Sequence, residues 1–206
     1  NGNGGWFSSL KNAGLLDLIH ENGIEWLNVF AVDNVLQRIA DPCFIGATIT
    51  ENRSVGAKVV CKNHPDEKVG VMCLKDNHPS IVEYYELTPE LRDAVDEDGE
   101  PAYNFGVILN YLFKESELED ICENTLPLHI VEKKIPYIDD AGTLIKPEEP
   151  NGYKFETLIL DMIQMMDTCL PFEVERDKEF APIKNKTGID SVESARALLA
   201  KNGVTL

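Results

Sequence analysis

The chain has 206 residues, 43% of them hydrophobic and 27% charged, the mix of a soluble protein able to bury a core. Its formal charge of −17, from 19 Lys and Arg against 36 Asp and Glu, repels nucleic acid and anionic membrane. No apolar run approaches the length needed to cross a bilayer, and no charged-then-apolar leader opens the chain. The five cysteines (Cys43, Cys61, Cys73, Cys122, Cys169) are scattered and form no C-x-x-C pair, which argues against a disulfide framework or a zinc site and for a reducing cytosol. An anionic ligand on so acidic a chain must be met by a few local cations, by backbone N–H groups or by a metal.

The opening Asn1-Gly2-Asn3-Gly4-Gly5 has no methionine and starts inside a glycine-rich turn, the pattern of a piece of a longer protein. Glycines there let backbone approach a ligand closely just ahead of a helix, although a plain flexible turn has the same composition. Residues 14–23 place Leu15, Leu16, Leu18 and Ile19 on one side of a helix that Gly23 stops. Trp26-Leu27-Asn28-Val29-Phe30-Ala31-Val32 reads as a strand buried on both faces, ended by Asp33-Asn34, with residues 35–39 predicted helical behind it. Helix alternating with buried strand predicts an α/β sheet covered by helices.

Residues 57–62, 69–74 and 81–87 are β-rich, and Asp76-Asn77 followed by His78-Pro79 marks a hairpin-like turn between the last two. Thr88-Pro89 opens a short helix, residues 96–99 form an acidic turn, 103–113 are strongly apolar and 116–124 read as a polar-faced helix. Proline-rich connectors at 135–137 and 146–152 lead to a predicted long apolar helix over 155–169, then a short strand at 172–175. The last helix opens at Asp190 or Ser191, with Glu193 placed for a capping box and Gly203 closing it. The expected division is one catalytic domain over 1–187 and the start of a small C-terminal unit at 188–206.

Several residues suit ligand chemistry, each with a plainer role open beside it. Asp33 follows a strand end, where open α/β sheets bind ligands, and its carboxylate together with phosphate oxygens would suit Mg²⁺; it would serve equally as a helix N-cap. Glu83 could accept hydrogen bonds from sugar hydroxyls or stand on an exposed face. Lys154, near a predicted helix start, and Lys184, on a proline-interrupted stretch, are phosphate candidates or surface lysines. The four histidines (His20, His64, His78, His129) show no paired metal spacing. With no G-x-S-x-G, H-E-x-x-H or complete P-loop, nucleophilic and zinc chemistry lack support.

In order along the chain stand Gly2-Asn3-Gly4-Gly5, Val32-Asp33-Asn34, Asp41-Pro42-Cys43-Phe44-Ile45-Gly46, Val69-Gly70-Val71, Val82-Glu83-Tyr84, Lys133-Lys134-Ile135-Pro136-Tyr137, Pro150-Asn151-Gly152-Tyr153-Lys154 and Glu179-Phe180-Ala181-Pro182-Ile183-Lys184-Asn185. This succession resembles the eukaryotic UDP-N-acetylglucosamine pyrophosphorylases, with UDP-glucose and UDP-sugar pyrophosphorylases more distant. The resemblance implies a Rossmann-like nucleotidyltransferase fold, a mixed sheet with flanking helices whose N-terminal part is missing here. It implies uridylyl transfer from UTP to N-acetylglucosamine 1-phosphate in the cytoplasm, giving UDP-N-acetylglucosamine and pyrophosphate, with Mg²⁺ as cofactor and neither nucleic acid nor membrane as partner.

The resemblance also implies roles for single residues. The backbone of Gly2 would meet uracil, Asn3 the substrate, and Asp33 the ribose and metal. Gly70, Glu83 and Tyr84 would line the sugar pocket, and Lys154 and Lys184 would meet phosphates. Three positions depart from the family pattern: Val107 stands where the family has a sugar-binding asparagine, and Leu158 and Leu160 where it has aromatics lining the acyl pocket. Glucose 1-phosphate or a broader sugar range is therefore the alternative substrate, and a non-catalytic sugar-nucleotide-binding protein the alternative class. The family's G-G-x-G-T-R loop, which cradles the UTP phosphates, would fall upstream of Asn1, so the chain by itself is expected to be inactive.

Overall fold

A computed structural model describes residues 2–121 and 124–205. The chain opens with two short helices, α1 (Trp6–Asn12) and α2 (Leu15–Glu21), joined through Gly14 in the left-handed region at φ 70°. Then follow β1 (Trp26–Phe30), α3 (Pro42–Thr50), β2 (Val55–Cys61), β3 (Val71–Lys75), β4 (His78–Val82), α4 (Pro89–Arg92), β5 (Phe105–Lys114) and α5 (Glu115–Ile121). The remainder comprises β6 (His129–Lys133), β7 (Tyr137–Ile138), β8 (Leu144–Ile145), β9 (Gly152–Glu156), α6 (Ile159–Gln164), β10 (Cys169–Glu173), α7 (Arg176–Glu179) and α8 (Val192–Lys201).

The main sheet runs β10-β2-β5-β3-β4, and β1 pairs with β5 on the edge opposite β2. Only β10 and β2 pair in parallel within this otherwise antiparallel sheet. It is the mixed α/β sheet that the pattern predicts. Val55, Ala57 and Val59 alternate along β2 toward a core built with Phe7 of α1, Leu118 of α5, and Ile159, Met162 and Ile163 of α6. On the other face of β2, Val60 packs with Ile108 and Phe180, and α3 lies over the same strand. Layers on both faces explain why β2 is buried from Val55 through Val60.

β5 carries the irregularity that shapes the site. Ala57 pairs with Tyr111 and Val59 with Val107, so Lys58 alone on β2 faces Ile108, Leu109 and Asn110 on β5. Within this bulge Leu109 sits at φ 50°, a conformation that non-glycine residues seldom adopt.

Several expected elements form as read. Asp76 and Asn77, at φ 52° and 65°, make the tight turn between β3 and β4. The Thr88 side chain accepts the Leu91 amide at the start of α4, and Gly203, at φ 77°, follows α8. The capping box of α8 is formed by Ser191 with Ser194, not Glu193, because the helix begins one residue later than an Asp190 cap would set it.

Three expectations are corrected. β1 is half-buried along its length, since it pairs with β5 on one side and, among the described residues, with no strand on the other. Residues 35–39 are not helical: the Val35 amide donates to the Ala181 carbonyl and the Arg38 carbonyl accepts Asn110 Nδ2, both from distant elements. Residues 155–169 split into the end of β9, the six-residue α6 and the start of β10. Tyr153 and Phe155 alternate with Lys154 and Glu156, a period-2 pattern that pairs with β6 before α6 begins. Among the described residues, Cys43, Cys61, Cys73 and Cys169 are free thiols; Cys122 lies outside them. No helix of the described residues is long and apolar enough to cross a membrane.

Candidate active site

Asp33 stands on the loop that leaves β1, and Lys184 on the loop that follows α7. The two loops are tied backbone to backbone, the Ile183 amide donating to the Asp33 carbonyl at 2.9 Å and the Val35 amide to the Ala181 carbonyl at 3.2 Å. Buried Asn34 clamps them further. Its Nδ2 donates to the Glu179 carbonyl at 2.7 Å while its Oδ1 accepts the Ala181 amide at 2.8 Å. The Asn34 Nδ2 and the buried Asn110 Nδ2 both donate to Gln37 Oε1, at 3.2 and 3.1 Å, and Asn28 Nδ2 donates to Asn110 Oδ1 at 2.8 Å. This amide chain, rather than helical bonds, orders residues 34–40.

Beneath the loops lies a charge cluster that sequence reasoning missed. Lys58 is fully buried, with its Nζ 2.8 Å from Asp41 Oδ2 and 2.5 Å from Glu179 Oε2. Arg38 approaches the same two carboxylates at 3.8 and 3.6 Å. Burial alone would raise the Asp41 carboxyl. The Lys58 hydrogen bond and charge, the Cys43 amide and Arg38 outweigh it and hold the carboxyl below the usual carboxylate range. Lysine, aspartate and glutamate are common in any chain. The signal for this cluster was Lys58 interrupting the otherwise apolar Val55–Val60 run of a strand buried on both faces.

Glu83 lies across the cavity. The structure ends β4 at Val82, so Glu83 belongs to a turn rather than a strand, with the Glu86 amide donating to the Glu83 carbonyl at 2.8 Å. Its carboxyl is pushed above the usual carboxylate range by burial first and by the charge of Glu86 next, with His129 and Lys184 opposing. Gly70 lies behind it. A side chain there would come within 3.1 Å of Ile81 and 3.3 Å of Val107. The third wall is the entry to α6, where Asn3 Oδ1 accepts the Ile159 amide at 2.9 Å. Asn3 is held there because the chain passes tightly over Thr157 and Leu158: Gly4 donates to the Thr157 carbonyl at 2.9 Å, and a side chain at Gly4 would lie 2.7 Å from the Thr157 carbonyl carbon.

Nine of the eleven residues singled out from the sequence line one cavity of about 280 Å³: Asn3, Asp33, Gly70, Glu83, Tyr84, Val107, Leu158, Leu160 and Lys184. Leu109 of the bulge, Tyr111 and an unforeseen cation, Lys68, are among the other residues that line it. Asn3 also lines two other recesses, one with Trp6 and Asp33 and one with Gly2, Trp6 and Phe155, so the three meet at Asn3. Lys154 is not in the cavity. It stands on β9 instead of at a helix start, half-exposed and 2.6 Å from Glu156.

For a divalent metal, Asp33 supplies one half-buried carboxylate on the cavity wall that Lys184 also lines. A single carboxylate completed by phosphate oxygens fits Mg²⁺. Among the described residues one group, His20, Glu115 and Glu119, gathers three possible ligand atoms within 4.8 Å. None of them lines the cavity, and His20 lies 3.2 and 3.4 Å from the two glutamates, which accounts for the grouping.

A mixed sheet flanked by helices, with a cavity beside its bulged strand, defines a nucleotidyltransferase-like α/β protein. The family model described as UTP–glucose-1-phosphate uridylyltransferase matches residues 1–205, and the chain belongs to that family. It is 41% identical over 207 residues to UDP-N-acetylhexosamine pyrophosphorylase-like protein 1 of Mus musculus, covering 98% of this chain and 41% of that protein. It is 38% identical over 215 residues to the UDP-N-acetylglucosamine pyrophosphorylase of Saccharomyces cerevisiae, covering 99% and 44%.

Among solved structures, a candidate UDP-N-acetylglucosamine pyrophosphorylase from Entamoeba histolytica superposes with a TM-score of 0.88 at 35% identity, over 98% of this chain and 50% of that one. The UDP-N-acetylglucosamine pyrophosphorylase of Trypanosoma brucei, in complex with an inhibitor, gives 0.77 at 28%, over 91% and 37%. The chain thus spans about two fifths of the length of these curated relatives.

Proposed function

We propose that these residues form the sugar- and uridine-binding part of a uridylyltransferase that joins UTP and N-acetylglucosamine 1-phosphate into UDP-N-acetylglucosamine, releasing pyrophosphate. The supporting observation is the convergence of residues from distant segments (Asn3, Asp33, Glu83, Leu158 and Lys184) on one cavity that shares Asn3 with the Gly2 recess. In this reading uracil lies against the Gly2 backbone and the sugar fills the 280 Å³ cavity. Glu83 accepts hydrogen bonds from sugar hydroxyls, Gly70 leaves room for the ring, and Tyr84, Val107, Leu158 and Leu160 wall it.

A phosphate oxygen of the sugar 1-phosphate attacks the α-phosphorus of UTP in line, and pyrophosphate leaves. Lys184 faces the phosphates, and Asp33 would hold Mg²⁺, which when bound would offset their charge. Catalysis of this kind is mostly positioning and electrostatics. Lys154, ion-paired outside the cavity, is given no part. Turnover is to be measured on the full-length protein. We place the protein in the cytoplasm.

Val107, Leu158 and Leu160 favour a second reading, in which glucose 1-phosphate is preferred. These apolar walls offer no side-chain partner to an N-acetyl group. Pyrophosphate release from UTP, measured on the full-length protein with each sugar 1-phosphate separately, decides between them. Faster release with N-acetylglucosamine 1-phosphate supports the first, and faster release with glucose 1-phosphate the second. No release with either rejects both, and UDP-sugar binding without release leaves a non-catalytic sugar-nucleotide-binding protein.

A further inference from the structure

One polar chain beside the cavity is not used by the chemistry above. His129, at the start of β6, has a side chain only 16% exposed and joins two walls of the pocket. Its Nε2 lies 2.9 Å from Oδ2 of Asp161, which is buried at 3% exposure on α6, next to the wall residues Leu158 and Leu160. Its Nδ1 lies 3.8 Å from Oε1 of Glu86. The other oxygen of Glu86 accepts the Glu83 amide at 3.3 Å, and the Glu86 amide returns a bond to the Glu83 carbonyl at 2.8 Å.

A continuous path therefore runs from α6 through Asp161, His129 and Glu86 to the backbone of the residue whose carboxylate enters the cavity. The ring of a histidine is rigid and offers two polar atoms on opposite edges, so it fixes a separation that a flexible side chain would leave free.

We propose that His129 is a positioning residue. By bridging Asp161 and Glu86 it sets the distance between the Glu83 turn and α6, and so sets which sugar 1-phosphate the cavity accepts. The proposal deepens the function given above and rests on it for the identity of the ligand, but not for the bridge itself. His129 touches no reacting group in this scheme. Asp161 fixes its orientation and Glu86 transmits it.

Two measurements on the full-length protein test the proposal. The first is amide exchange at Glu83 and Glu86, which needs no turnover. His129→Ala should speed exchange at these two amides at least tenfold while leaving the amides of β2 and β5 unchanged. Equal rates in wild type and variant would overturn the bridge.

The second is kinetics in a wild type that turns over either sugar. His129→Ala and Glu86→Ala should each raise KM for the sugar 1-phosphate about tenfold and leave KM for UTP within twofold. Each should also change the preference between the two sugars at least threefold, and the double variant should be no worse than either single one. Equal losses for both substrates, additive losses, or an unchanged preference would overturn the selectivity role. A wild type inert toward both sugars would reject the proposed function, and the exchange experiment would still decide the bridge.

Discussion

At the Asp33–Lys184 end of the cavity, the supports are buried and closely paired. Lys58 is wholly enclosed with Asp41 and Glu179, and Asn34 satisfies groups on both loops. At the Glu83 end the supports are looser: Glu86 is 43% exposed, its contact to His129 spans 3.8 Å, and Tyr84 is 41% exposed. A buried, fully bonded cluster has few alternative arrangements, whereas an exposed turn held by long contacts has several. The contrast suits a site whose phosphate geometry must be fixed for in-line transfer while its sugar wall varies with the substrate.

The largest effect that would break this contrast is loss of Lys58. Lys58→Met leaves Asp41 and Glu179, 4% and 5% exposed, with Arg38 as their remaining cation. Stranding buried charge costs about 3–5 kcal/mol, to be read from urea unfolding of the full-length protein. A loss under about 1 kcal/mol would show that the cluster is not the rigid support described.

The pH dependence adds a second check. A carboxyl held low in the folded state contributes stability above its unfolded value of about 4 and loses it as pH falls through the lower folded value. Asp41 belongs to this class. Wild type should therefore lose stability below about pH 4 more steeply than Lys58→Met does.

Next in size is Glu83→Gln, expected to weaken UDP-sugar binding about tenfold, the scale of one hydrogen bond to a charged acceptor. Its effect on stability should have the opposite sign. A carboxyl raised in the folded state holds its proton more tightly there, so folding stability declines as pH rises through the unfolded value of about 4.3 and levels off above the raised value. Glu83 is shifted in that direction. The glutamine variant should lose this decline and be the more stable protein at neutral pH. Calorimetric binding and thermal unfolding across pH 4 to 8 measure the two sides together, and a variant that binds normally would remove Glu83 from the sugar site.

Much of this contrast was legible before the fold was known, but unevenly. Asp33 and Lys184 stood out because each is an ionisable residue at a break in a regular pattern, and Glu83 as a carboxylate within a β-rich run. The Asp76-Asn77 turn and the Thr88 cap were readable because their causes lie within four residues. Residues 35–39 were misread as helix because what orders them, Asn110 and Asn28, is distant in sequence or in another element. The Lys58 cluster stayed hidden for the same reason: its partners are 17 and 121 residues away. The period-2 run from Gly152 to Glu156 was visible, but the apolar stretch after it led to a helix being drawn through both.

A smaller effect is expected at Val107, on the pocket side of the β5 bulge. Val107→Asn would supply a polar group facing the sugar and should shift the preference between the two sugar 1-phosphates several-fold. That is about 1 kcal/mol, the size expected of one added hydrogen bond in a formed pocket. The ratio of kcat/KM values measures it. An unchanged ratio would place sugar selectivity on the Glu83–His129 side alone.

Lys154 gives the smallest effect and the most direct test of where the phosphates lie. On β9 it is half-exposed and pairs with Glu156 at 2.6 Å, outside the cavity that Lys184 lines. An exposed pair of this kind contributes well under about 1 kcal/mol. Lys154→Ala should therefore leave stability and turnover within about twofold of wild type, while Lys184→Ala lowers turnover by orders of magnitude, as expected when a preorganised cation is removed from developing charge. Equal losses from the two would mean that the β6–β9 ribbon swings over the groove when substrate binds and brings a second lysine to the phosphates. In that case the rigid end of the site would include a moving part, and the contrast between its two ends would hold only for the empty protein.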